Sequence, residues 1–384
     1  YVYLRDVSPP TTATQPVAQE LLLAGAKANV VSGSVGSATI SELNFFDVLD
    51  VSISTGSAND TVTIAGEGLT ALGLQNFSVE TAAGDDSLVV LSDNLTPPGL
   101  DGYTDNNGVY EQLEGAFRFD GGSDRDSITV SHDADWLLDN DVVAPGSSKL
   151  TANDLDELIF ANVEAASITG GDTGNAIVVK AWDGALAVDG AGGSDQIKIH
   201  IQHVVDATVA DSGTDAGDQL TVLGSAAIDH LIVDNSRVSR DTHDVDYSGI
   251  EVLRVGGGDG DDFLDVFDSS AGEVYLDGAN GSDTYTSFTG ASDAFVNIHD
   301  SGPTEIASGE VDALILPSGT IGSYSVVFPV GSKTAFFDET IEIIRSVDPI
   351  QNLALTEGPD EVVLDGATLT INGAQYDMTS VTEL

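Results

Sequence analysis

Apolar and polar residues alternate over short stretches along most of this chain, as in Ala187-Val188-Asp189 and Ile197-Lys198-Ile199. A period of two is strand periodicity with one face turned inward. The short strands are punctuated by one recurring window: an apolar strand end, a turn rich in Gly and Asp, an acid, and a second apolar strand. It reads VSISTGSANDTVTI from Val51, FSVETAAGDDSLVV from Phe77 and FRFDGGSDRDSITV from Phe117. It returns as ASITGGDTGNAIVV from Ala166, LAVDGAGGSDQIKI from Leu186, LRVGGGDGDDFLDV from Leu253 and VYLDGANGSDTYTS from Val274.

The last apolar residues before the turns are Ile53, Val79, Phe119, Ile168, Val188, Val255 and Leu276. Seven residues later stand Asp60, Asp86, Asp126, Asn175, Asp195, Asp262 and Asp283, and nine residues later an apolar or aromatic residue follows each time. Weaker copies start at Val209, two residues longer and ending at Asp218, at Ile298, leading to Glu305, and at Leu355. Successive anchors lie 20 to 22 residues apart in the clearest runs. That is one turn of a parallel β-solenoid, whose coils stack at about 4.8 Å. The expected fold is therefore an all-β parallel β-helix of about 20–24 residues per coil. Larger gaps of 40 to 49 residues read as two coils. The solenoid is expected over residues 37–345, with an N-terminal arm and cap over 1–36 and a C-terminal hairpin cap over 346–384. Residues 96–116 and 139–157 read as loop insertions. The arm at Val2–Thr12 offers a strand that could pair with the sheet edge of a neighbouring copy.

Composition sharpens the reading of the turns. The chain has 384 residues, 12 Lys+Arg against 63 Asp+Glu, a formal charge of −51, 42 Gly and no Cys. Such acidity repels phosphate backbones and anionic lipid surfaces, so nucleic-acid and membrane-surface roles are excluded as expectations and cations become the expected partners. The acids are 46 Asp and 17 Glu, a bias that suits tight turns. Without Cys there are no disulfides and no thiolate metal sites. No apolar run is long enough for a membrane-spanning helix.

Glycine turns expose carbonyl oxygens and the aspartates supply charge, which suits calcium and its six to eight oxygen ligands. The turns resemble the haemolysin-type calcium-binding repeats of RTX proteins, built on Gly-Gly-x-Gly-x-Asp and an apolar residue. GGGDGDDFL at 256–264 is the nearest match, followed by DGGSDRDSI at 120–128, DGAGGSDQI at 189–197 and DGANGSDTY at 277–285. The flanking style is similar to repeats of very large secreted surface proteins of marine and environmental bacteria. The resemblance implies calcium ligation by Asp126, Asp195, Asp262 and Asp283, with Asp124 and Asp259 as helpers and Asp60 and Asp86 as weaker positions. Stacking of consecutive coils groups Asp262 with Asp283 and Glu305, and Asn175 with Asp195 and Asp218. RTX units recur every nine residues, whereas here one glycine turn appears per coil, so a calcium ladder is expected along one edge.

The alternative for the same residues is that each Asp bonds its own turn backbone. The functional expectation is an extracellular structural or adhesive module, secreted or at the cell surface, stiffened by Ca2+ and able to self-associate into a fibre or to meet a glycan target. A polysaccharide-active enzyme on a β-helix is the second expectation, with Arg237, Arg240 or Arg254 as candidate bases. A salt-adapted surface-layer component without specific calcium sites is the third. His200 and His203 lie on opposite faces if strand periodicity continues through them.

Overall fold

The computed structural model assigns backbone strands from Val2 to Asp377 and describes side-chain surroundings for residues 51–64, 77–91, 117–142, 145–152, 157–286, 296–298 and 301. The chain is all-β, built of parallel sheets of many short strands. It divides into two units, Tyr1–Gly193 and Ser194–Leu384. Among the described residues no helix is long and apolar enough to cross a membrane.

In the first unit one sheet runs through Val2–Arg5, Asp50–Ser54, Asn76–Glu80, Phe117–Asp120 and Asp156–Ala161, each parallel to the next. The facing sheet holds Gln19–Gly25, Thr61–Gly66, Ser87–Val90, Ser127–Ser131, Ala165–Thr169 and Trp182–Asp189, again parallel. In the second unit Gln219–Leu223, Val252–Asp259, Glu273–Asn280 and Phe295–His299 form one parallel series. His230–Asp234, Phe263–Val266 and Thr284–Ser287 form the other. Outside the antiparallel hairpins, consecutive strands fall in alternate sheets, which is the winding of a solenoid.

The period-two pattern sets which side chains go inside. Along Gln196–His200 exposed or half-buried residues alternate with buried Ile197 and Ile199, and along Val252–Asp259 Leu253, Val255 and Gly257 turn inward. Identical inward positions stack coil on coil, as in Val51, Phe77, Phe117 and Leu158. Phe77 and Phe117 meet edge to face at 5.0 Å between ring centroids, a favoured aromatic geometry. All four side chains are fully or almost fully buried.

Three expectations change. The 40-residue gap from Val79 to Phe119 is one enlarged coil, the two residues lying directly opposite each other. The gaps from Phe119 to Ile168 and from Val209 to Val255 cross from one sheet to the other, with Ile168 opposite Val130 and Val255 opposite Val222. An insertion adds residues without adding a rung. One such insertion, read from sequence as a loop over 139–157, is a hairpin within the sheet, with Ser148–Ala152 antiparallel to both Trp136–Asn140 and Asp156–Ala161. The N-terminal strand Val2–Arg5, expected as an arm, is the end strand of one of the chain's own sheets, parallel to Asp50–Ser54. The strands Val362–Asp365, Thr368–Ile371 and Ala374–Asp377 form an antiparallel meander near the C-terminus.

Candidate metal centre in the buried carboxylate rows

The acid seven residues after each anchor shares a face with the apolar residue nine after it, so it starts the next strand pointing inward. Asp60, Asp86, Asp126, Asp195, Asp218, Asp229, Asp262 and Asp283 are all 2% exposed or less. Their carboxylates hold the coils together. The backbone N–H of Asp60 donates to Asp86 Oδ1 at 2.7 Å, that of Asp86 to Asp126 Oδ1 at 2.8 Å, and that of Asp126 to Glu164 Oε2 at 2.8 Å. A second row runs from Asp195 N–H to Asp218 Oδ1 at 2.8 Å and from Asp218 N–H to Glu251 Oε2 at 2.9 Å. A third runs from Asp229 N–H to Asp262 Oδ1 at 2.7 Å and from Asp262 N–H to Asp283 Oδ1 at 2.8 Å. A buried amide that would otherwise lack a partner is satisfied at each step.

In the turns closed by Asp262 and Asp283 the residue two after the anchor has no room for a side chain, because the returning carboxylate lies against it. A Cβ on Gly257 or Gly278 would collide with Oδ2 of Asp262 or Asp283. Glu164 and Glu251 end two of the rows from just before strands Ala165–Thr169 and Val252–Asp259, reaching back with their longer side chains. Rows two and three lie on opposite sides of the second unit, one leading from Val204–Ala210 to Gln219–Leu223 and the other from Val252–Asp259 to Phe263–Val266. Acid turns therefore occur along both edges, where one was expected.

Burying carboxylates in register is electrostatically unfavourable, and their acidities record it. Burial first, then the charges of Asp60 and Asp85, pushes Asp86 up to about 6. Burial, with Asp86, Glu164 and Asp85 nearby, does the same to Asp126, also to about 6. Asp262 rises to about 6 through burial and the charges of Asp229 and Asp261, opposed by Arg240. In Asp126 and Asp262 the second carboxylate oxygen, Oδ2, is buried with no hydrogen-bond partner.

One turn departs from the others. After Val209 the loop is two residues longer, and the position two past the anchor, Gly or Thr in the seven clear windows, is Asp211. The extra length admits a side chain, and that side chain is a carboxylate. One oxygen each of Asp195, Asp211 and Asp218 lie within 4.8 Å of one another. Two ionised carboxylates at that separation repel by about 3–4 kcal/mol at an effective dielectric of 20. Asp218 is pushed up to about 7 by burial, by its hydrogen bond with the Asp211 carboxyl, and by the charges of Asp211 and Glu251. Asp211 Oδ1 also accepts the N–H of Gly213 at 3.0 Å, fixing its side chain. Three hard oxygen donors from two successive coils suit a hard divalent cation with carbonyls and water completing its shell.

The remaining sequence candidates are dispersed. Asp259 is exposed and accepts a hydrogen bond from Asn280 Nδ2 at 2.6 Å. Asp124, at φ 89°, accepts the N–H of Gly84 at 3.2 Å through Oδ2. Asn175 belongs to the first unit, accepts the N–H of Gly171 at 2.8 Å and donates to Asp133 Oδ1 at 3.0 Å. Asp133 is held below the usual carboxylate range by hydrogen bonds from Thr173 and Asn175. Glu305 lies outside the described residues.

The arginines considered as catalytic bases have other partners. Arg237 pairs with Asp244 at 3.1 Å and Asp246 at 2.6 Å, and Arg240 pairs with the buried Asp229. Arg254 donates to Gln219 Oε1 at 2.9 Å and lies 4.2 Å from the Tyr275 ring centre. His200 ends strand Gln196–His200, while His203 closes the 3-10 turn Ile201–His203.

Two residues escaped the sequence reading. Asp229 follows Val222 by seven and precedes Leu231 by two, so both offsets were present, but its turn, LGSAAI, lacks the Asp-rich signature. Asp211 was signalled by the two-residue length excess and by an acid at the glycine position. No known family model matches the chain, and no curated protein matches it significantly. Fold and turns define its class: an all-β parallel β-solenoid carrying rows of buried carboxylates.

Proposed function

We propose that this chain is an extracellular structural or adhesive β-solenoid module in which a divalent cation, calcium foremost, binds Asp195, Asp211 and Asp218 and ties successive coils together. The single observation behind this reading is the third carboxylate, Asp211, brought within 4.8 Å of two row acids at the one turn lengthened to admit it. Asp86, Asp126, Asp262 and Asp283 accept a backbone amide of the previous coil, as Asp218 does, and Asp60 accepts the N–H of Gly56 in its own turn. Among the described residues none of these turns adds a third carboxylate, which supports a turn-forming role for Asp60, Asp86, Asp126, Asp262 and Asp283. The calcium expectation thus narrows to one centre.

The action is mechanical. An ion shared by Asp195 and Asp218 links adjacent coils and removes the repulsion that Asp211 adds. Flexible geometry and a large ligand number favour calcium over magnesium, which demands a tight octahedron. Calcium is abundant outside cells, so the stiffened state belongs there, whether the module sits in a fibre, an adhesin or a surface coat. Calcium titration calorimetry on the full chain tests the reading. Saturable binding that is lost in Asp211→Asn supports it, and identical isotherms for the two proteins would remove Asp211 from any cation site.

A further inference from the structure

The third row carries a second, different answer to the same electrostatic problem. Its first member, Asp229, is 2% exposed, and its Oδ1 accepts the Nε–H of Arg240, whose side chain is 16% exposed. Arg240 also donates through Nη2 to Ser225 Oγ at 3.4 Å, on the turn that Asp229 closes. Arginine and lysine number only 12 in this chain, yet here one is placed in a turn interior.

An extra hairpin puts it there. His230–Asp234 runs antiparallel to Arg237–Arg240, with Leu231 opposite Arg240, so the chain doubles back and returns a cation to the turn it has just left. Arg237–Arg240 then pairs with His243–Ser248, which sets His243 across from Arg240. One coil further on, Asp262 accepts the Asp229 N–H through Oδ1, while its Oδ2 is buried without a hydrogen-bond partner.

We infer that the Arg240 guanidinium is a built-in counter-ion that occupies the cation position of the Asp229–Asp262 turn pair and closes it to metal. The inference rests on the proposed cation reading of the Asp195–Asp211–Asp218 turn and assigns the two sides of the second unit opposite solutions: an external ion where Asp211 adds charge, an internal guanidinium where Arg240 removes it. It runs against the sequence-based grouping of Asp262 with Asp283 as the foremost calcium position. A guanidinium is always charged and spreads its donors in a plane, so it neutralises a buried carboxylate at any pH and any calcium level.

The test is a set of full-length variants, each melted in chelator and in calcium at fixed ionic strength, with calorimetry for calcium binding. Arg240→Met should melt several degrees below the parent in chelator, recover in calcium, and gain a binding event that Asp229→Asn removes. Repeating Arg240→Met in an Asp211→Asn background separates the two claims. A calcium response appearing there stands for Arg240 even if the parent protein binds no calcium, whereas a parent response lost with Asp211→Asn speaks only to the other turn. An unchanged melt in chelator, or a lowered melt that calcium does not restore, overturns the inference. If Arg240→Met is unfolded in both solutions, Arg240→Met/Asp229→Asn decides the cause. Folding of that double variant shows that the bare charge was the defect and that calcium cannot replace the guanidinium. Its failure to fold shows that Arg240 acts by packing, and either result overturns the inference.

Discussion

The backbone N–H of Asp86 donates to Oδ1 of Asp126, 40 residues downstream, at 2.8 Å, and both residues are 1% exposed. The acid of one coil is thus the hydrogen-bond acceptor for the acid of the coil before it. Asp126→Ala leaves the Asp86 amide buried and unsatisfied, with an expected loss of about 1–3 kcal/mol in urea unfolding. Asp126→Asn keeps an acceptor and removes the charge, so it should match or exceed the parent in stability. Equal losses in both variants would show that charge, not the acceptor, is what the row requires.

The rows also fix a pH dependence. Asp86 and Asp126 reach about 6 in the folded chain against an ordinary 3.8, so between these values the folded state binds more protons than the unfolded one. Stability from these groups is complete below the unfolded value and is lost as pH rises through about 6. In chelator, the melting temperature should therefore fall between pH 5 and pH 7.5, and the fall should shrink in Asp86→Asn/Asp126→Asn. A melting temperature that rises over the same interval would mean that these carboxylates are stabilised as anions.

At Gly257 and Gly278, each the second residue after its anchor, the returning carboxylate leaves no room for a side chain. Gly257→Ala and Gly278→Ala place a methyl against Oδ2 of Asp262 and Asp283. The expected loss is about 1–3 kcal/mol, the usual range for overpacking a filled interior. Gly146, at φ 90°, has nothing within 4 Å of its added Cβ, so Gly146→Ala samples backbone strain without the clash and serves as the comparison.

Asp211 is expected to behave oppositely with and without cation. In chelator, Asp211→Asn relieves repulsion with Asp195 and Asp218 and should raise the melting temperature. In calcium the same variant should melt below the parent. Ordering of the two proteins that does not invert between solutions would argue that Asp211 is a surface acid of no special consequence.

Much of this architecture was readable in the chain because a period of two and a turn of constant length repeat themselves. Ile53, Val79 and Phe119 mark stacked rungs, and the acids seven residues later all fold inward. The fate of those acids was ambiguous, since a ligand and a backbone acceptor need the same residue at the same place. The hairpin through Trp136–Asn140 and Ser148–Ala152 was hidden by its Pro-Gly-Ser-Ser connection, which reads as loop. The coil boundaries at Phe119 and Val209 were obscured because insertions lengthen a coil without changing its rung. Arg240, read from sequence as a candidate base, could not be matched to Asp229, because their meeting depends on a hairpin register that sequence spacing does not specify.

The central claim is that calcium belongs to the fold at the Asp195–Asp211–Asp218 turn. The most direct measurement is a thermal melt by circular dichroism at neutral pH and fixed high ionic strength, in chelator, calcium and magnesium. Binding to the folded state alone stabilises by about 2.7 kcal/mol when free ion is 100-fold above Kd. A melting temperature raised by calcium, little changed by magnesium and returned to the chelator value by Asp211→Asn is the expected result. Superimposable melts in chelator and calcium would contradict the claim and leave the aspartates as turn formers of a salt-adapted solenoid.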